Sequence, residues 1–112
     1  MQFMMILAVI AASNTSVSAQ VNERVKRHTE YLASDELEGR GRGSAGAELA
    51  AKYIAEQFRG MGLKTWKGDS YLQKFDISGQ EKMESNVVGY IASKYPSDRS
   101  IVFTAHYDAY GI

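Results

Sequence analysis

The stretch "TAHYDAYG", Thr104 to Gly111, sets a histidine and a carboxylate two residues apart, His106 and Asp108. On an extended backbone, side chains at i and i+2 point to the same side. An imidazole and a carboxylate so placed can do three things. One ring nitrogen can bind a metal while the other donates its N–H to the carboxylate. The two can form the base and orienter of a nucleophile triad. They can also be a hydrogen-bonded pair that only closes a strand end. H-x-D is a weak motif by itself, and residue type leaves all three open.

Other candidates for chemistry are few. The second histidine, His28, falls on the apolar stripe of a predicted helix. Its neighbours three and four positions away are Arg24, Val25, Tyr31 and Leu32. None is a usual zinc ligand, so His28 is expected to pack rather than ligate. The absence of Cys excludes disulfides, thiolate metal sites, a Cys nucleophile and a lipidated Cys anchor.

"GRGSAG", Gly41 to Gly46, reads as G-x-G-x-x-G. That fingerprint binds a dinucleotide when a buried strand feeds the first Gly and an acidic residue about 20 positions on holds the ribose. Here Ser34-Asp35-Glu36-Leu37-Glu38 comes before it, which is no buried strand. Met61 to Trp66 supplies no acid, and Asp69 sits in a loop. Three acids upstream repel phosphate. No nucleotide is expected. The stretch reads as a Gly-rich connection between two helices, with Arg40 and Arg42 free to pair with Asp35, Glu36 or Glu38. Nor is nucleic acid an expected partner, because 13 Lys+Arg are balanced by 13 Asp+Glu.

The elements that must position His106 and Asp108 follow from periodicity. "MQFMMILAVIAA" is apolar and "SNTSVSAQ" small and polar. Val17-Ser18-Ala19 before Gln20 fits signal-peptide cleavage after Ala19, although the n-region holds no Lys or Arg. Residues 1–19 are therefore read as a signal peptide, too short for a membrane span, and residues 20–112 as one small domain. Val21, Val25, His28 and Leu32 mark an amphipathic helix from Val21 to Ser34. A second helix carries Ala47, Ala50, Ala51, Ile54, Phe58 and Met61, with Ser44 as N-cap and Gly62 as its left-handed stop. Its alanines suit close packing on a sheet. Tyr71 to Ile77 and Ser85 to Ile91 are predicted strands, antiparallel across "SGQEKME". Trp66, Tyr71 and Phe75 are expected in the core rather than on a partner surface. Ser100 to Asp108 is predicted as a strand buried on both faces, since Ile101-Val102-Phe103 is continuously apolar. His106 then lies at its carboxyl end, where open α/β sheets build sites. The fold class expected is α/β: N-terminal helices, then part of a mixed, mostly parallel sheet flanked by helices.

The order of these motifs resembles the start of a secreted zinc-dependent aminopeptidase. The family is that of the di-zinc exopeptidases, with bacterial leucyl aminopeptidases as members and glutamate carboxypeptidases and glutaminyl cyclases as relatives. The resemblance covers nearly all of the chain after the signal. Its most specific parts are "ELEGRG", "NVVGYI" and "AHYD". It implies that His106 binds one of two zinc ions and that Asp108 supports it as orienter. It also implies a secreted or periplasmic hydrolase acting on peptides with a free N-terminus. The family's bridging Asp, Glu-Glu pair, remaining carboxylate and second His have no counterpart among these 112 residues. A catalytic zinc takes three protein ligands. The chain alone is therefore expected to be inactive and poorly stable, the N-terminal portion of an incomplete zinc-exopeptidase fold. The alternatives are a non-catalytic secreted α/β interaction module or a truncated inactive remnant.

Overall fold

The computed structural model describes residues 2–76 and 83–111. The chain divides into two units, Met1–Ala33 and Ser34–Ile112. The first is a single helix, α1, spanning Gln2–Leu32. No Gly or Pro interrupts that stretch, so nothing in it breaks the backbone ladder. The helix predicted from Val21 is thus the second half of a longer one that runs through Ala19 and Gln20. Lys26 and Glu30 lie 3.9 Å apart on its exposed surface. The predicted apolar stripe is only partly sheltered: His28 and Leu32 are half-buried, whereas Val21 and Val25 are exposed. Among the described residues, no helix is long and apolar enough to cross a membrane.

The second unit begins with a 3-10 helix, Asp35–Arg40, in a stretch whose composition predicts a loop. Leu37 from this turn is its most deeply buried large side chain. Helix α2 follows, Ala45–Gly60. Ser44 caps it as predicted, its Oγ accepting from the Ala47 N–H at 3.1 Å. Ala47, Ala50, Ala51 and Ala55 are buried, and α2 packs on the Leu37 turn and on the hairpin described below. Gly46 permits the closest approach: a Cβ there would stand 1.8 Å from the Leu37 carbonyl oxygen. Gly62 ends the helix at φ +72°, the left-handed region that favours glycine.

Four short strands follow: β1 (Lys64–Thr65), β2 (Leu72–Asp76), β3 (Met83–Val87) and β4 (Gly89–Tyr90). β2 and β3 pair antiparallel from Leu72↔Val87 to Asp76↔Met83, as the hairpin reading predicts. Ile77 and most of the expected connection lie outside the described residues, and the rest of that connection, Met83 and Glu84, belongs to β3. β1 pairs antiparallel with β4. The strand predicted from Ser85 to Ile91 therefore splits between two ladders. Gly89 is the reason: a Cβ there would lie 2.8 Å from the Phe58 ring and 2.9 Å from Leu63, so the backbone turns in against α2. Of the three aromatics expected in the core only Tyr71 is buried: Phe75 is exposed, and Trp66 is exposed and stacks edge-on with Tyr90.

The fold corrects two further expectations. The unit mixes helices and strands, but its ladders are two-stranded and antiparallel, not part of a mostly parallel sheet. Ile101, Val102 and Phe103 belong to no strand and are 86%, 76% and 92% exposed. A doubly buried strand needs a ladder partner on each edge and a layer on each face. Among the described residues, none pairs with residues 100–105. Among the described residues, parallel pairing appears only as an isolated bridge, Gly41↔Ala109.

Candidate functional site

The predicted pair does come together. His106 Nδ1 lies 3.3 Å from Asp108 Oδ1. The His106 side chain is 96% exposed and that of Asp108 36%. With Nδ1 facing the carboxylate, Nε2 is the ring nitrogen left to meet a ligand. The pair sits on irregular backbone, not at the end of a buried strand.

What holds that backbone is not legible from local pattern. The Ala109 N–H donates to the Arg40 carbonyl at 2.9 Å, and the Gly111 N–H donates to the Gly39 carbonyl at 3.2 Å. Arg40 Nε donates to the Tyr107 carbonyl at 2.8 Å. The Tyr107 hydroxyl donates to the Ser85 carbonyl on β3. Burial, with help from the nearby charges of Glu84 and Asp108, raises the Tyr107 pKa above its ordinary 10.0. The expected pairing of Arg40 and Arg42 with upstream acids does not occur among the described contacts. Arg40 reaches Tyr107, and Arg42 Nε approaches Glu84 Oε1 at 3.6 Å. The stretch from Glu38 to Arg40 is left-handed rather than helical, so the i, i+3 and i, i+4 spacing that brings side chains together on a regular helix does not apply to it.

The pair opens on a cleft of about 680 Å³. Its walls come from α2 (Ala47, Ala51), the hairpin (Phe75, Ser85) and the 106–108 segment. Charges along it are largely matched. Lys52 Nζ lies 2.7 Å from Glu48 Oε1, and that hydrogen-bonded ammonium lowers the Glu48 pKa. Glu84 Oε1 is buried without a hydrogen-bond partner among the described residues, Arg42 being its counter-charge.

A zinc site requires more donors than these. Among the described residues, no group of three His, Cys, Asp or Glu side chains is placed to hold a metal, whereas a catalytic zinc has three protein ligands. His106 and Asp108 fit one ligand and its orienter, and do not make a complete centre.

Sequence reasoning gave Arg40 the wrong partner and missed Tyr107, Gly39 and Gly111. A readable signal was the density of Gly around "EGRGRGSAG", which the fold explains by close approach. A Cβ on Gly39 would come within 2.8 Å of the Gly111 backbone, and one on Gly41 within 3.1 Å. The stretch before the fingerprint glycines is a 3-10 helix, not a strand. Comparison of the chain with protein-family models, curated proteins and solved structures finds no match.

Proposed function

We propose that the chain is part of a secreted or periplasmic zinc-dependent exopeptidase, an aminopeptidase acting on peptides with a free N-terminus. The observation that carries this reading is the His106–Asp108 pair itself: Nδ1 against the carboxylate at 3.3 Å, with the ring exposed beside a cleft. Asp108 accepts the Nδ1–H and fixes the tautomer, which keeps the Nε2 lone pair available to a metal. In such enzymes bound zinc supplies an activated water and polarises the peptide carbonyl. The reading requires further ligands from polypeptide other than the described residues. It is tested on the full-length gene product by zinc-dependent release of amino acids from unblocked peptides, lost on chelation and in His106→Ala. Absence of both bound zinc and release would refute it.

A second reading has its own observation. The exposed apolar run Ile101-Val102-Phe103 favours a non-catalytic interaction module, since contiguous exposed apolar surface marks a binding face. Such a module folds without metal and binds a partner with no hydrolysis, so the same assay separates the two.

A further inference from the structure

We propose that Arg40 and the left-handed turn it ends are a positioning device for the His106–Asp108 pair. The inference extends the metal-ligand reading, but it rests on a different set of contacts. Glu38, Gly39 and Arg40 have φ of 45°, 65° and 51° in succession. Two of the three are not glycine. L-residues with side chains avoid this region because Cβ crowds the following carbonyl. Strain of this kind persists where surrounding contacts over-determine it, and it clusters at functional sites.

The strained turn makes contacts that an ordinary one would not. It aims the Gly39 and Arg40 carbonyls at the Gly111 and Ala109 N–H groups, and the Arg40 guanidinium at the Tyr107 carbonyl. These bonds fall on both sides of Asp108. Gly39, Gly41 and Gly111 let the two backbones meet with no side chain between them. Tyr107 is tethered separately to β3 through its hydroxyl. Asp108 is thus clamped at its neighbours, while the His106 ring is almost wholly exposed and depends on Asp108 for its orientation. Among the described residues, the Arg40 side chain bonds to the Tyr107 carbonyl and the His106 and Asp108 side chains to each other. Arg40 acts through the Tyr107 carbonyl, as a positioning residue.

The test reads the His106 tautomer in the full chain without any metal. Long-range 1H–15N correlation at a pH where the ring is neutral separates Nδ1–H from Nε2–H. Wild type is expected to hold mainly Nδ1–H. Arg40→Ala keeps the left-handed strain and loses the bond. Arg40→Gly loses the bond but relieves the strain, so it stays folded if Arg40→Ala does not. Both are expected to lower the Nδ1–H to Nε2–H ratio, and to speed amide exchange at Ala109 and Gly111, by about five-fold, the equilibrium weight of one ordinary hydrogen bond. Gly39→Ala, which drives a Cβ into Gly111, is expected to do the same. An unchanged tautomer ratio in Arg40→Gly overturns the proposal, whatever happens to the melting temperature, because the turn is then only structural. A wild type holding mainly Nε2–H overturns it too. No metal enters the measurement, so its failure is distinct from failure of the zinc reading.

Discussion

Tyr107 stands between the two residues of the candidate pair, and its phenol is tied to the hairpin. Its pKa is raised in the folded state, chiefly by burial. A group whose folded pKa lies above the unfolded value stabilises fully below the unfolded pKa and loses that contribution as pH rises through the folded one. Stability is therefore expected to fall above pH 10.0, the ordinary value for this group, when thermal melts are followed across an alkaline series. Tyr107→Phe should flatten that fall and cost about 1 kcal/mol at neutral pH, the weight of the hydrogen bond to Ser85. Asp108→Asn tests the neighbouring carboxylate. In the proposed enzyme it should weaken zinc binding about 10- to 100-fold, as loss of a carboxylate behind a ligating histidine does. Competition against a zinc-binding dye would measure it, and unchanged affinity would mean that Asp108 does not support the ligand.

At the scale of elements, α2 is the part that the rest of the second unit is built on. Its start rests on two residues of the "GRGSAG" stretch. Ser44→Ala removes the cap and should cost about 1 kcal/mol in urea unfolding. Gly46→Ala should cost more than the cap, because its Cβ would meet the Leu37 carbonyl at 1.8 Å and neither backbone can yield without moving the turn. A Gly46→Ala variant as stable as wild type would show that α2 does not lie on Leu37 in solution. This also decides what the glycine pattern is for. Each glycine in it answers to a local steric need: Gly41 to Gly111, Gly43 to a φ of +70°, Gly46 to Leu37. The nucleotide fingerprint and this packing pattern share glycines because both need close backbone approach. Sequence alone exposes the need and not the object approached.

At the scale of the whole molecule, the outstanding feature is exposed apolar surface. Ile101, Val102 and Phe103 lie open to solvent, on backbone that no strand pairs among the described residues. Unpaired apolar segments of this kind drive association. The double variant Ile101→Lys, Phe103→Lys should remain monomeric at concentrations where wild type scatters light. Its unfolding free energy should change by less than about 0.5 kcal/mol, since exposed positions contribute little. A large loss of stability would instead mean that the segment is packed.

What the sequence by itself determined is what neighbours within a few residues decide. The Ser44 cap, the Gly62 stop, the antiparallel pairing of β2 with β3 and the meeting of His106 with Asp108 all rest on interactions across short separations. Hydroxyl-to-amide capping, left-handed glycine turns, antiparallel pairing of consecutive strands and i, i+2 spacing all appear in the fold. Tertiary structure alone decided the rest. Arg40 finds its acceptor 67 residues away, a choice that no local window contains. Gly89 splits a continuous strand pattern because Phe58 and Leu63 arrive against it. The apolar run at Ile101 to Phe103 has the composition of a buried strand, but composition states only an appetite for burial. Whether a strand is buried depends on which other surfaces come to cover it.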